Sequence, residues 1–354
     1  MVAARSLRVL DARLRVREPG GFAKGAVVRV LLTGAFGNLG RPTVQALVQR
    51  GHRVRCFDVR SRPAERLARS LGSQVEVSWG DLRDEHALRA AVAGQDAIIH
   101  NAAVLPPFTE RSPEAAQAIN VGGTRALIAA AEASPMQPAL IFTSSVSVFG
   151  PVQHLPPPRR VTDPVQATDN YTRHKLECET MLRESSLRWL ILRIGVSIEP
   201  GSRTGDPDAM RMLFDAAAET RMEYVHPADV ACAQARALEC AEVWGRMLLI
   251  GGGPSCRIRQ IDLFDSLFGS LGLGEVPRRA FGSGGYYTDW MDTEESQRLL
   301  QYQQHSFDDF RRDSYRRLRH VRRALWPLRP LVRRYLLGYS RAWSGTGADS
   351  PAAG

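Results

Sequence analysis

Tyr171 and Lys175 are the residues whose types and spacing point most clearly to proton transfer. They lie four residues apart in YTRHKLECETMLRE, a segment whose pattern predicts a helix, so they share one helix face. A phenol with a pKa of about 10 exchanges protons poorly at neutral pH, but a neighbouring ammonium favours the phenolate and lowers that pKa. Such a pair can take the proton of a substrate hydroxyl or return one to a carbonyl oxygen.

An accidental pair on a helix surface is the alternative, and in an average protein it would be the better interpretation. The composition weighs against it, because Lys24 and Lys175 are the only lysines among the 47 basic residues of the chain. In a chain that uses arginine almost everywhere else, a lysine at position 175 indicates a site that requires a compact ammonium, which arginine cannot supply. We therefore favour proton transfer at Tyr171, with Lys175 as its partner.

The turn TGAFGNLG carries a second chemical signature. Its glycines, Gly34, Gly37 and Gly40, are separated by two residues each, between a predicted strand and a predicted helix. Glycine allows the open turn and the close approach of a pyrophosphate to the backbone, and the helix N-terminus offers free N–H groups to phosphate. In this context the turn predicts a dinucleotide site.

Asp58 closes the next predicted strand, 18 residues after Gly40. In dinucleotide-binding folds, the acid that holds the adenosine ribose lies about 20 residues after the glycine turn, and the spacing here is close to that. A carboxylate there repels a 2′-phosphate and favours NAD, while the nearby Arg60 and Arg62 leave NADP as the alternative. A solvated acid at a strand end is the other interpretation of Asp58.

The elements that must position these residues alternate along the chain. Strand patterns cover residues 26–32, 52–58, 74–81, 96–104, 138–145 and 189–195. Helix patterns cover residues 41–51, 63–72, 86–94, 113–133 and 171–184. The alternation predicts an α/β fold, a Rossmann-like doubly wound parallel sheet with a smaller C-terminal substrate-binding cap. We divide the chain into a flexible N-terminal extension (1–25), an NAD(P)-binding Rossmann domain with the catalytic helix (26–196), a substrate-binding region interleaved with the final Rossmann elements (197–310) and a basic amphipathic tail (311–354).

The composition excludes several classes of protein. The five cysteines are odd in number, scattered and free of any CxxC pair, so neither a disulfide framework nor a metal site is expected. No stretch reaches the roughly 18 uncharged apolar residues of a spanning helix, and the N-terminus lacks a secretory signal pattern. A cytoplasmic location is therefore expected.

The formal charge of +10 is concentrated in the tail. Residues 311–341 contain eleven arginines and a single acid, Asp313, which accounts for the whole excess, while the body of the chain is mildly acidic. We therefore expect no nucleic-acid partner. Apolar and aromatic residues alternate with the tail arginines, which suits peripheral contact with the anionic inner face of a membrane. A solvated tail, or one docked on the body or on a partner subunit, is an equal alternative.

The order of the motifs resembles the extended short-chain dehydrogenase/reductases, the NAD-dependent epimerase/dehydratase superfamily. The resemblance runs from about residue 27 to 253, and its pieces are TGAFGNLG, the strand-end Asp58, GDL, HNAAV, INVGGT, TSSVSVFG, YTRHK, LRIG, VHPADVA and IGGG. Singly most of these are weak, but their order and spacing are specific. Helix-paired dimers are usual in that family, so the resemblance makes a homodimer possible, although nothing in the sequence identifies the oligomeric state.

The resemblance implies a role for each matching residue. Tyr171 would be the acid/base, Lys175 would also hold the nicotinamide ribose, and Ser145 would bind the substrate oxygen. Asn120 would be structural or relay protons, and the segment 193–196 would lie beside the nicotinamide. The implied cofactor contacts are Gly34, Phe36, Gly37, Asn38, Leu39, Gly40, Asp58, Asp81, Leu82, Asn101, Ala102, Ala103, Tyr171, Lys175, Ile194 and Val196.

Several positions depart from the family pattern. Dehydratases carry an acidic pair where this chain has Ser144 and Ser145, and Val196 replaces an asparagine of nucleotide-sugar epimerases. The favoured function is therefore an NAD(P)-dependent oxidoreductase that transfers hydride at a hydroxyl or carbonyl carbon of a small molecule. A sugar or nucleotide-sugar epimerase is the runner-up. A non-catalytic NAD-binding regulatory protein is the third alternative, which the intact Tyr171 and Lys175 disfavour.

Overall fold

A seven-stranded parallel sheet forms the centre of the computed structural model, which describes residues 17–18, 21–23, 25–201, 206–284 and 287–345. Its strands are β1 (Arg29–Thr33), β2 (Arg53–Asp58), β3 (Val75–Trp79), β4 (Ala97–His100), β5 (Ala139–Ser145), β6 (Trp189–Ile194) and β7 (Arg246–Ile250). The strand order is β7-β6-β5-β4-β1-β2-β3, with every neighbouring pair parallel. The order reverses between β1 and β4, which opens a crevice at the carboxyl ends of these strands.

Apolar side chains on both faces of the sheet explain why the strands lie in its interior. Val30, Leu31 and Leu32 of β1 are fully buried, as parallel strands covered on both faces require. One face packs on α1 (Gly40–Gln49), α2 (Arg62–Leu71) and α9 (Pro227–Ala237). The other face packs on α3 (Glu85–Val92), α6 (Gly123–Ala133) and α7 (Asn170–Glu184). The predicted doubly wound α/β fold is confirmed.

The single helix predicted over 113–133 is interrupted. Two short helices, α4 (Phe108–Arg111) and α5 (Pro113–Gln117), precede a π-helical turn at Ala118–Gly122, and α6 follows it directly. In this wider turn the buried Asn120 accepts a hydrogen bond from the Val104 N–H (2.8 Å) and donates one to the Val104 carbonyl (2.9 Å). Asn120 thus anchors the loop after β4. Of the two roles expected for Asn120, structural support and proton relay, this contact fits structural support.

Helix α7 begins at a reciprocal cap. The Asp169 carboxylate accepts the Thr172 N–H at 2.7 Å, and the Thr172 hydroxyl accepts the Asp169 N–H at 3.1 Å. Caps of this kind satisfy backbone donors that a helix start leaves free. The cap fixes the first turn of α7, which carries Tyr171 and lies against the end of β5.

The C-terminal cap region predicted for residues 197–310 and the tail predicted for residues 311–354 share one hydrophobic core. Helices α8 (Pro207–Asp215) and α10 (Gln260–Leu271) contribute Phe214, Phe264 and Phe268 to it. The remaining helices are α11 (Glu294–Leu300), α12 (Phe307–Arg317), α13 (Arg319–Ala324), α14 (Arg329–Leu337) and α15 (Arg341–Gly345). The predicted tail boundary at residue 311 falls inside α12, and α14 packs on the shared core. The reason is that the tail's apolar residues find a partner surface in α8 and α10.

Two short antiparallel ribbons complete the described structure. Arg17–Glu18 pairs with Gly21–Phe22, and Arg221–Glu223 pairs with Arg257–Arg259. The predicted N-terminal extension, 1–25, lies mostly outside the described residues. None of the described helices combines the length and the apolar composition needed to cross a bilayer.

Candidate active site

A cavity of about 850 Å³ lies at the carboxyl ends of β1 to β6. It is lined by Ser145 and by all of the implied cofactor contacts: Gly34, Phe36, Gly37, Asn38, Leu39, Gly40, Asp58, Asp81, Leu82, Asn101, Ala102, Ala103, Tyr171, Lys175, Ile194 and Val196. These residues come from six strand ends and from α7, so the fold brings together groups that are up to 162 residues apart.

The glycine turn between β1 and α1 cannot hold side chains at two of its positions. Gly34 has φ +66°, and a Cβ there would lie 2.8 Å from the Ala102 backbone nitrogen. A Cβ on Gly40 would lie 2.0 Å from the Gly34 carbonyl oxygen, well inside contact distance. The turn therefore packs tightly on β4 and leaves the N-terminus of α1 bare at the cavity. This is the cradle that a dinucleotide pyrophosphate requires.

Asp58 faces the cavity at the end of β2. Its carboxylate accepts hydrogen bonds from the Phe36 N–H (2.9 Å) and the Val59 N–H (2.8 Å), and burial raises the pKa of this carboxyl above its usual value. Arg60 extends instead over the Trp79 ring, 5.6 Å from its centre. Neither Arg60 nor Arg62 is among the described residues that line the cavity. The carboxylate is thus the charged group at the position expected for the adenosine ribose.

Lys175 is buried one turn after Tyr171 on α7. Its ammonium donates a hydrogen bond to the Thr143 carbonyl at 2.7 Å and lies 4.8 Å from the centre of the Phe142 ring. The distance from the ammonium nitrogen to the centre of the Tyr171 ring is 5.7 Å. Burial lowers the pKa of Lys175 to about 8. A cation held this close to the phenol is the electrostatic arrangement that favours its ionised form.

This burial should cost stability, so we expect Lys175→Met to be more stable than the wild type. Lowering the lysine pKa from 10.5 to about 8 opposes folding by about 3 kcal/mol. Loss of the hydrogen bond to Thr143 offsets about 1 kcal/mol of the gain, which leaves about 2 kcal/mol. Urea unfolding at pH 7 measures this difference in the free energy of unfolding.

The pH dependence of that difference provides the internal control. The penalty on the charged form is full below a pH of about 8 and fades as the pH rises toward 10.5, where the lysine of the unfolded chain also becomes neutral. The difference in the free energy of unfolding between Lys175→Met and the wild type should therefore be smaller at pH 10. A variant that is less stable at pH 7, or a gap of the same size at both pH values, would contradict this account.

Ser145 ends β5 at the edge of the cavity. Its hydroxyl lies 2.7 Å from the Ser147 hydroxyl and accepts the Ser147 N–H at 3.2 Å. Ser147 also lines the cavity, although sequence reasoning did not single it out. Two hydroxyls at this point can hold one substrate oxygen, with Ser147 orienting the Ser145 hydroxyl.

A buried amide network beneath the cavity was also missed. The Gln234 amide donates to the Asn101 side-chain oxygen (2.7 Å) and to the Thr143 hydroxyl (2.9 Å), and its oxygen accepts the Thr43 hydroxyl at 2.7 Å. The Thr143 hydroxyl in turn donates to Asn101 at 2.6 Å. The network joins α1, α9 and the ends of β4 and β5. It therefore fixes Thr143, whose carbonyl holds Lys175.

Arg193 does not lie beside the cavity as the resemblance implied. Its guanidinium points away and forms a buried ion pair with Glu179 of α7, with nitrogen–oxygen distances of 2.9 and 2.7 Å. The Ser144 hydroxyl also donates to Glu179, at 2.6 Å. Alternation along β6 explains the difference, because Arg193 and Ile194 face opposite sides of the sheet. Arg193 thus holds α7 against the sheet, while Ile194 and Val196 line the cavity.

The described cavity wall contains few charges. Lys175 is the only basic residue among the described lining residues, and the acids are Asp58, Asp81 and Asp169. The described lining residues that are not assigned to the cofactor include the apolar Val104, Leu105, Val146, Ile198, Met212, Leu213 and Leu263 and the polar Ser197, Tyr287 and Thr288. No cluster of three or more histidine, cysteine, aspartate or glutamate residues suited to a metal occurs in the described part of the chain.

Relatives of known name match parts of the chain. Human 3 beta-hydroxysteroid dehydrogenase type 7 is 34% identical over 167 residues, which cover 46% of this chain and 43% of that protein. Mycobacterium tuberculosis 3 beta-hydroxysteroid dehydrogenase/Delta 5-->4-isomerase is 38% identical over 125 residues, 34% of this chain and 32% of that protein. The chain thus spans less than half the length of these curated relatives.

Solved structures share the fold. UDP-glucose-4-epimerase from Stenotrophomonas maltophila, with bound NAD and formylated UDP-arabinopyranose, has a TM-score of 0.68 at 22% identity, over 84% of this chain and 99% of that one. The dTDP-glucose 4,6-dehydratase DesIV from Streptomyces venezuelae, with NAD bound, has a TM-score of 0.70 at 21% identity, and the match covers 85% of this chain and 99% of that one. Identities this low establish the architecture and leave the reaction open.

Family membership follows from a match over most of the chain. The family model described as the NAD dependent epimerase/dehydratase family covers residues 30–251, from the first strand of the central sheet to its last. The glycine turn, Asp58, Tyr171 and Lys175 all fall within the match. The expected resemblance is confirmed, and this chain belongs to the NAD dependent epimerase/dehydratase family.

Proposed function

We propose that the protein is an NAD-dependent dehydrogenase or reductase that acts on the hydroxyl or carbonyl carbon of an apolar alicyclic molecule, with hydroxysteroids as the substrate class. The observation that carries the proposal is the composition of the cavity wall. Although 45 of the 47 basic residues are arginines, none is among the described residues that line the cavity.

A nucleotide sugar would be a poor match for this wall. Its diphosphate carries two negative charges, which proteins commonly bind with arginine because the guanidinium pairs with phosphate oxygens in a bidentate manner. The described wall instead offers mainly leucine, valine, isoleucine and methionine side chains, with hydroxyl groups from Ser197, Tyr287 and Thr288. Apolar walls with a few convergent polar groups are typical of sites for hydrophobic small molecules.

The named relatives support the same substrate class. Two of them carry the name 3 beta-hydroxysteroid dehydrogenase, and a third, from Methylococcus capsulatus, is named Sterol demethylase protein B, 35% identical over 120 residues. That third match covers 34% of this chain and 35% of the relative. The epimerases and dehydratases among the solved structures are similar to this chain in fold alone.

The mechanism assigns a proton to Tyr171 and the positioning of substrate to Ser145. When bound, NAD supplies the acceptor or donor of hydride. Tyr171 takes the proton of the substrate hydroxyl during oxidation and returns one to the carbonyl oxygen during reduction. Lys175 holds a positive charge beside the phenol, and Ser145 donates to the substrate oxygen so that it stays aligned for transfer. The apolar wall excludes water from the reacting carbon.

Asp58 gives a prediction on the choice of cofactor. Asp58→Asn keeps the size of the side chain but removes the charge that accepts ribose hydroxyl hydrogen bonds and repels a 2′-phosphate. We expect the NAD affinity to fall by about tenfold, as for the loss of one charge-assisted hydrogen bond, and the preference for NAD over NADP to shrink by a similar factor. Fluorescence titration of reduced NAD and reduced NADP measures both values.

Glu76→Gln is the matched control, since Glu76 lies on the neighbouring strand β3 and pairs with Arg55 outside the cavity. It should leave both affinities unchanged. If Asp58→Asn also leaves them unchanged, the ribose site has been misplaced.

The substrate class can be tested with two compounds. Purified protein is incubated with NAD and either a 3β-hydroxysteroid or UDP-glucose, and reduced nicotinamide is followed by absorbance while products are separated by chromatography. We expect reduced cofactor and a ketosteroid from the first mixture and no change in the second. Conversion of UDP-glucose to UDP-galactose without oxidation of the steroid would establish the epimerase alternative instead.

Three further expectations do not depend on the geometry of the cavity. The homodimer, the cytoplasmic location and a peripheral membrane contact through residues 311–341 stay predictions.

A further inference from the structure

The outer surface of α14 and of the turn before it is unusually apolar. Trp326, Leu328, Leu331 and Tyr335 have 66%, 50%, 66% and 65% of their surface exposed. Leu331 and Tyr335 are one helix turn apart, so they share the outward side of α14. Single exposed apolar residues are ordinary, whereas four close together mark an interaction surface. We call these four residues the tail face.

The fold itself does not need the tail face. The opposite side of α14 is already occupied, because Val332, Leu336 and Leu337 pack on the core of the cap. A surface helix normally turns polar residues to solvent, whereas α14 exposes Leu331 and Tyr335 as well as arginine. In the described structure α14 is covered on one side only, so the outward side is available for a partner.

The charge around the tail face indicates what kind of partner fits. Five of the eleven tail arginines pair with acids, namely Arg311, Arg312, Arg316, Arg317 and Arg341. The other six form no ion pair with a described residue. Arg322 and Arg329 pack on Gly272 and Arg333 donates to the Leu273 carbonyl, so these three lie against the end of α10. The exposed ones are Arg319, Arg323 and Arg334. All six lie between residues 319 and 334, the stretch that also carries most of the tail face. The partner must therefore be anionic as well as apolar.

We propose that the tail face docks on an anionic lipid bilayer. Leucine side chains enter the acyl boundary, Trp326 and Tyr335 occupy the headgroup level, and the exposed arginines, Arg319, Arg323 and Arg334, bind lipid phosphates. Nucleic acid offers phosphate as well, but it provides no environment for exposed Leu328 and Leu331. The Arg329 guanidinium carbon lies 3.8 Å from the centre of the Trp326 ring, so charge and aromatic surface are adjacent at the tail face.

Docking also places the cap beside the lipid. Helix α14 shares a hydrophobic core with α8 and α10, and residues Leu213 and Leu263 of those two helices line the cavity. A substrate dissolved in the bilayer would thus meet the protein on the side of its cap. This last step rests on the proposed function, whereas the docking itself does not.

Sedimentation with vesicles tests the docking without any measurement of turnover. The full chain is mixed with vesicles of phosphatidylcholine alone or of equal parts phosphatidylcholine and phosphatidylserine. We expect binding to the anionic vesicles that weakens with added salt, and at least tenfold weaker binding for the variant W326S/L331S/Y335S. Because all three side chains are exposed, the variant should unfold at the wild-type temperature.

A charge-matched pair of variants separates the tail from the net charge of the protein. R323Q/R334Q removes two charges at the tail face and should weaken binding severalfold. R66Q/R69Q removes two exposed charges from α2 and should leave binding as it is. Equal losses in both pairs, or no sedimentation of the wild type with anionic vesicles, would overturn the proposal. A wild-type dimer that dissociates in W326S/L331S/Y335S, without vesicle binding, would assign the face to a second copy and also overturn it.

Discussion

Replacing Tyr171 with phenylalanine is expected to lower kcat about 10²- to 10⁴-fold, the range that general acid–base groups contribute. The ring and its packing against the Lys175 ammonium, 5.7 Å away, are kept, and only the hydroxyl that exchanges the proton is removed. The affinity for NAD should therefore stay close to that of the wild type. Steady-state kinetics with a hydroxysteroid, together with titration of reduced NAD, measure the two quantities separately.

Tyr315→Phe makes the same chemical change outside the cavity, on an α12 side chain that is 50% exposed. It should leave kcat and NAD affinity unchanged. Normal turnover by Tyr171→Phe would remove the proposed acid/base, and loss of NAD binding in that variant would show that the hydroxyl serves the cofactor instead.

The second large effect concerns stability. Glu179→Ala should lower the free energy of unfolding by about 3–5 kcal/mol, the usual cost of removing one partner of a buried ion pair. The Glu179 carboxylate accepts two hydrogen bonds from Arg193 and one from Ser144, and the two charged side chains are 3% and 4% exposed. Without the carboxylate, the arginine charge is left buried against the Phe149 ring.

Glu177→Ala provides the matched control two residues earlier on the same helix. Glu177 pairs with Arg125 at 3.2 Å on the surface, where side-chain exposures are 37% and 63%, so its loss should cost about 0–1 kcal/mol. Urea unfolding of both variants tests the contrast. Similar losses for the two would mean that the Glu179–Arg193 pair adds nothing beyond helix propensity.

The sheet could be predicted because its signals are local. Runs such as VRVLL and LILRI are apolar on both faces and short, which is typical of interior parallel strands, and the glycine turn marks the junction of β1 with α1. The family pattern supplied the strand-end positions that line the cavity. Those lining positions agree with the structure, while the cofactor contacts assigned to them stay predictions.

Contacts between distant segments could not be predicted in the same way. Gln234 is an ordinary helix residue in the sequence, and its role emerges only when α9 meets Thr43, Asn101 and Thr143. The resemblance implies that the whole segment 193–196 lies beside the nicotinamide, but strand alternation turns the Arg193 side chain to the other face of the sheet. The packing of the tail depends likewise on α8 and α10, whose apolar faces carry no signal that names α14.

Isotope transfer tests the central claim most directly. A 3β-hydroxysteroid carrying deuterium on its carbinol carbon is incubated with the protein and NAD, and both products are analysed by mass spectrometry. The proposed function predicts one deuterated reduced nicotinamide for every ketone formed, with both products formed about 10²- to 10⁴-fold more slowly by Tyr171→Phe. Recovery of the deuterium in an inverted alcohol, without release of reduced cofactor, would contradict it.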